Sequence, residues 1–211
     1  MIRITIFSLI LLITACSSQP MKPKDITGLW LKASKNGEPE GFYLGPQGDL
    51  QLYNIFSWLG ESWGIEGKSL LWLTATEQVP SPELSELHYS LKGDNLIISE
   101  GSYFNGEYQR AAVQILCGSV NILQQADDQQ LSITLIQEDK KSTINQKLIS
   151  RKVIANPETA TPFTLAIASD LINDKQPYRL LLVLSDGRTI ISRQSIEYTK
   201  LPGQCVAPID L

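Results

Sequence analysis

Residues 89–99 read YSLKGDNLIIS, and the fold turns on how this stretch is read. Apolar and polar residues alternate before Gly93-Asp94 and a short apolar run, Leu96 to Ile98, follows it, with none of the three-and-four spacing that a helix would need. Two short strands joined by a tight turn fit this pattern, because glycine accepts the positive φ that such turns demand. Residues 63–73, WGIEGKSLLWL, repeat the arrangement around Gly67: apolar, charged, glycine, two polar residues, leucine. Working outward, the chain from Ile26 to Gln114 divides into eight short runs: ITGLWL, GFYL, DLQLYNI, SWGI, SLLWLT, LHYSL, NLIIS and EYQRAAV. That cadence predicts an up-and-down meander that tends to close on itself, since open edges invite aggregation.

Near residue 116 the texture changes. Leu131, Ile133 and Leu135 alternate with Ser132 and Thr134, and Phe163, Leu165 and Ile167 with Thr164 and Ala166. Residues 178–194, YRLLLVLSDGRTIISRQ, form a second hairpin signal with Asp186-Gly187 at its tip. Its run Leu180 to Leu184 is apolar on both faces, which predicts a central strand. The expected architecture is therefore all-β: a small up-and-down β-barrel over 26–115, followed by an immunoglobulin-like β-sandwich over 116–211.

Ahead of the barrel the chain begins MIRITIFSLILLITAC. A basic residue, an apolar run too short to span a bilayer, and small residues before Cys16 have the order of a signal peptide. Ile13-Thr14-Ala15-Cys16 resembles the lipobox of bacterial lipoproteins, which implies cleavage after residue 15 and lipid on Cys16. The alternatives are an ordinary signal peptide with an incidental cysteine and an uncleaved anchor. Several acyl chains give near-permanent anchoring, where one chain is marginal. Residues 16–25, rich in Ser, Pro and Lys, read as a tether. Ser17 after the acylated cysteine implies, from lipoproteins as a class, outer-membrane sorting, because Asp there favours inner-membrane retention.

Composition excludes some functions. Eighteen basic residues against 22 acidic ones, a net charge of −4, and no Lys/Arg cluster leave no face for nucleic acid. His88 is the only histidine, so His-based metal clusters and a Ser-His-Asp arrangement lack support, and it reads as a surface or edge residue. Glu66 to Ser69, EGKS, ends like a phosphate loop but lacks the upstream glycine spacing and the helix. No enzymatic activity, cofactor or metal is expected. Cys117 and Cys205 remain as a pair, either bridged in an oxidising compartment or held as two buried thiols. A bridge would be worth roughly 4 to 5 kcal/mol in the chain-entropy view.

All four tryptophans fall in the first unit. A core accounts for most of its aromatic residues. The stretch 53–63, YNIFSWLGESW, is harder to bury whole, and Phe56, Trp58, Leu59 and Trp63 form a candidate contact or ligand surface.

The second unit resembles the YbaY/YscW family of bacterial lipoproteins through GSVNI, LSITLIQ, NQKLISRKV, TPFTLAI, PYRLLLVLSDGRTIIS and the tail VAPIDL, in that order. The resemblance covers Cys117 to Leu211 and rests on hydrophobic rhythm. It implies a lipid-anchored β-sandwich, with some members acting as pilotins that help an outer-membrane secretin reach or assemble in its membrane. No catalytic residues come with it. The first unit is similar to lipocalin-like small barrels: Gly28-Leu29-Trp30 matches a Gly-x-Trp motif in the first strand. That resemblance implies a late arginine, Arg110, lying across the Trp30 ring to close the barrel; an unrelated small barrel or a META-like fold is the alternative. Together these readings predict a lipid-anchored, periplasm-facing outer-membrane lipoprotein that acts as a binding or assembly factor for an envelope protein. The other expectation is a carrier or sensor of a small apolar ligand through the barrel.

Overall fold

The computed structural model describes residues 26–34, 39–53, 59–67, 70–76, 83–99, 104–125, 128–138, 146–186, 188–203 and 205–211. Among them the protein is all-β, apart from a short 3-10 turn at Ser169–Leu171. The first eight strands are β1 (Gly28–Ala33), β2 (Pro39–Leu44), β3 (Leu50–Tyr53), β4 (Leu59–Glu66), β5 (Leu70–Thr76), β6 (Glu83–Lys92), β7 (Asn95–Ile98) and β8 (Gly106–Ala111). They form one sheet in the order β3-β2-β1-β8-β7-β6-β5-β4. Every neighbour is adjacent in sequence except β1 and β8, whose antiparallel pairing curls the meander into a nearly closed barrel.

The remaining seam lies between β3 and β4. An isolated bridge between Asp49 and Ser62 spans it, and the Trp63 N–H donates to the Gly48 carbonyl at 2.9 Å. The turn that opened the sequence reading is tight: Lys92 pairs with Asn95, and Gly93 takes φ 59°. Strand alternation fills the barrel. Leu71 and Leu73 of β5 point inward with Trp30, Phe42, Leu50, Leu87, Leu96 and Tyr108, all essentially inaccessible. Phe42 packs against Tyr108 with centroids 4.9 Å apart and edge-on against Phe104 at 6.2 Å. Such offset and T-shaped contacts suit the ring quadrupoles.

Only Ala112 separates β8 from β9 (Val113–Asn121), so the boundary expected after residue 115 lies inside a strand. The others are β10 (Gln130–Glu138), β11 (Gln146–Ala155), β12 (Ala160–Ala168), β13 (Tyr178–Ser185), β14 (Ile190–Tyr198) and β15 (Ile209–Asp210). They make a four-stranded sheet, β11-β10-β13-β14, and a three-stranded one, β12-β9-β15. Inward residues of both, among them Leu131, Ile133, Leu135, Phe163, Leu165, Leu180 and Leu182, form one buried cluster, as in a β-sandwich. β13 is central, as its apolar run predicts, yet Leu181 and Val183 on its other face are only half-buried. The hairpin to β14 is held at its tip by Asp186, whose carboxylate accepts from the Arg188 and Thr189 amides at 2.8 and 2.7 Å.

Cys117 and Cys205 are bridged, with Cα atoms 4.5 Å apart, which decides between the two alternatives left by the sequence. The bridge ties β9 to the segment leading into β15, where the Val206 N–H also donates to the Cys117 carbonyl.

A third buried cluster belongs to both units. Leu29, Tyr43 and Tyr53, on the outer face of the barrel, pack against Ala166 and Ala168 of β12.

Candidate functional site

Two places on the barrel's outer face combine polar and aromatic groups. The first is the junction with the sandwich. In β3, Leu50 and Leu52 point into the barrel, so the period-two alternation sends Gln51 and Tyr53 outward. Both are nevertheless buried, Gln51 at 2 % exposure, because β11 and β12 cover them. The Gln51 amide donates to Ser150 Oγ at 2.7 Å and to the Ala166 carbonyl at 3.2 Å, and accepts from the Ala166 N–H at 2.8 Å. The Tyr53 hydroxyl donates to the Ile149 carbonyl at 2.9 Å and accepts from the Ala168 N–H at 3.4 Å. Burial pushes the Tyr53 hydroxyl pKa up to about 12, with Asp170 adding to the rise and the Ala168 bond opposing it. At the rim, Lys152 Nζ stands 3.8 Å from Asp49. Burial lowers the Lys152 pKa, and the Asp49 charge works against that shift. Gln51, Tyr53, Ser150 and Lys152 are each paired, so the junction locks the barrel to the sandwich through buried polar bonds.

The second place is a groove of about 290 Å³ on β4, β5 and β6, lined by Glu66, Leu70, Trp72, Leu84 and Glu86. The same alternation that buries Leu71 and Leu73 sends Leu70 and Trp72 outward. Register sets Trp72 opposite Gly64 on one side and Glu86 on the other, and Leu70 opposite Glu66. A Cβ on Gly64 would fall 2.2 Å from Trp72 Cζ2, so the indole lies down over the glycine backbone. Glycine is required there by this close approach. Leu84 is 59 % exposed, among the most exposed large apolar side chains described.

The residues singled out from sequence fall in several places. Cys16, Phe56 and Trp58 lie outside the described residues, as does the side chain of Leu59, which opens β4. Trp63 is not a surface residue: it is 4 % exposed, packs in the barrel cluster and donates its indole N–H to the Gly45 carbonyl at 2.8 Å. It follows Ser62 in the alternation and so faces inward. Trp63 itself therefore does not belong to an exposed contact surface, and the apolar groove lies on the opposite face of the neighbouring strands. Trp30 and Arg110 are directly paired across β1 and β8, the pairing that closes the barrel. The guanidinium carbon stands 4.2 Å from the Trp30 ring, Nη1 donates to the Thr27 carbonyl and Nε lies 3.3 Å from Asp94. Trp30 donates to the Ile26 carbonyl at 2.7 Å. His88 is exposed on β6, opposite Leu70.

Sequence reasoning missed both the groove and the junction. Trp72 carried a usable signal, an outward position beside Gly64 on the paired strand, whereas nothing local to Gln51 marks it as buried.

No family model matches the chain, and no curated protein matches it. Among solved structures it is distantly similar to a lipocalin-like protein from Bacteroides thetaiotaomicron VPI-5482, with TM-score 0.36 and 20% identity over 41% of this chain and 97% of that one. It is similar at the same distance to an alternative pilotin from the type II secretion system of Vibrio cholerae, with TM-score 0.38 and 19% identity over 47% of this chain and 96% of that one.

Proposed function

We propose that this protein is a lipid-anchored outer-membrane lipoprotein of a Gram-negative bacterium, facing the periplasm, and that it binds or helps assemble another envelope protein as a pilotin or chaperone does. The observation that carries this reading is the occupied barrel. Its interior holds Trp30, Phe42, Phe104 and Tyr108 in one buried cluster, with Phe42 against both Phe104 and Tyr108, which favours recognition from the outer surface. An apolar outward groove and a body held together by buried polar bonds suit a rigid docking factor. The Ile13-Thr14-Ala15-Cys16 sequence supplies the address: lipid on Cys16, with Ser17 next to it. A secretin is the partner class that the family resemblance brings forward. The carrier reading comes second, because an apolar ligand would have to displace the packed rings.

Two measurements test this. Intact mass of the protein purified from host membranes should give a triacylated chain beginning at Cys16; an unmodified chain removes the anchor. Deletion in the host should impair assembly of an outer-membrane secretin or comparable complex, and normal assembly of all of them overturns the assembly role.

A further inference from the structure

We infer that the groove over Trp72 binds an extended protein segment in which Lys or Arg alternates with apolar residues. This deepens the proposed function and rests on its premise that recognition uses the outer surface. The indole has one face against the Gly64 backbone, which leaves the other as a flat platform between strands. A cation over such a face is attracted by the ring quadrupole. Glu86 stands directly across from Trp72 and Glu66 diagonally from it, and neither carboxylate has an ion pair among the described residues. The platform is thus apolar at its centre and negative on two sides, complementary to a cationic head on an aliphatic stem.

Leu70 and Leu84 extend the apolar surface to either side of the ring, which a compact ammonium ion would leave uncovered. A peptide strand covers it, placing alternate side chains on one face at the spacing of the sheet beneath. An anionic lipid surface is disfavoured by the two carboxylates.

The test uses the full chain in detergent and an acetylated nonapeptide alternating Lys and Val, followed by calorimetry at low and high salt. Binding with Kd below about 1 mM is expected, weakening as salt screens exposed charge. The paired substitution E66Q/E86Q, which removes charge without volume from exposed positions, should weaken it about fivefold. Trp72→Leu, which keeps an apolar cover over Gly64, should weaken it at least as much. No binding, equal binding of a control nonapeptide alternating Glu and Val, equal binding by the E66Q/E86Q protein, or tighter binding of free choline than of the Lys/Val peptide would each overturn the inference. A normal deletion phenotype together with charge-dependent peptide binding would instead overturn the assembly role and leave the groove standing.

Discussion

The side-chain amide of Gln51 is paired with the backbone of Ala166 as one strand pairs with the next: the Ala166 N–H donates to Oε1 at 2.8 Å, and Nε2 donates back to the Ala166 carbonyl at 3.2 Å. β12 is the edge of its sheet, with β9 on its other side. A glutamine from the barrel therefore satisfies an edge strand that would otherwise expose unpaired donors and acceptors.

Replacing Gln51 with Leu removes its bonds to Ala166 and Ser150 in a buried site and leaves the Ala166 N–H without an acceptor, while the Ala166 carbonyl keeps the Ser150 hydroxyl. The expected loss is about 1 to 3 kcal/mol, the cost of one buried orphan group. Urea unfolding should show the lower midpoint, and hydrogen exchange at the Ala166 amide should accelerate. An unchanged midpoint with a protected Ala166 amide would show that the pairing adds nothing.

Tyr53→Phe should cost about 1 to 3 kcal/mol at neutral pH, because the Ile149 carbonyl loses its partner. The pH dependence has a definite sign. The folded-state pKa is raised from 10.0 to about 12, so the native state keeps a proton that the unfolded chain releases between these values. Stability from this group is fully present below pH 10 and is lost as pH rises towards 12, to the extent of about 2 to 3 kcal/mol. The Phe variant lacks that loss. The stability difference between the two proteins should consequently shrink from pH 10 to pH 12, and a constant difference would contradict it.

Arg110→Lys should destabilise the barrel by about 1 to 2 kcal/mol. An ammonium cannot both lie flat on Trp30 and reach the Thr27 carbonyl as the guanidinium does. Gly28→Ala should cost at least as much: φ is +132° there, and a Cβ would fall 2.8 Å from Arg110 Nη1. Thermal unfolding of both variants would decide, with an unchanged Tm counting against the closure role.

Substituting Cys117 and Cys205 together by Ser should lower stability by roughly 4 kcal/mol, as the bridge closes a loop of 88 residues. The same protein compared with and without reductant should show the same shift in urea midpoint. A shift in the variant alone would assign the cost to the serines.

Much of the strand order was legible from the chain. Each of the eight runs read between Ile26 and Gln114 corresponds to one of β1 to β8, because alternation and turn glycines are local signals. The pairing of Trp30 with Arg110 was accessible too, through the Gly-x-Trp resemblance. Sequence leaves Trp63 open between core and contact surface, because a run of aromatics near a turn looks the same whether it lines a rim or fills a core. Only its place after Ser62 in β4, with its indole N–H reaching Gly45, puts it inside.

The sequence by itself determined the strands, their turns and the inward residues of cleanly alternating strands such as β10 and β12, since period-two patterning and positive-φ glycines act over a few residues. Tertiary structure alone decided that Gln51 and Tyr53 are buried, that β12 is an edge needing a side-chain partner, and that Trp72 lies on Gly64. These depend on which outer face meets another sheet. Alternation tells a residue which side of its strand it occupies, while burial on the outer side is fixed by contacts about a hundred residues away, as between Gln51 and Ala166, 115 positions apart.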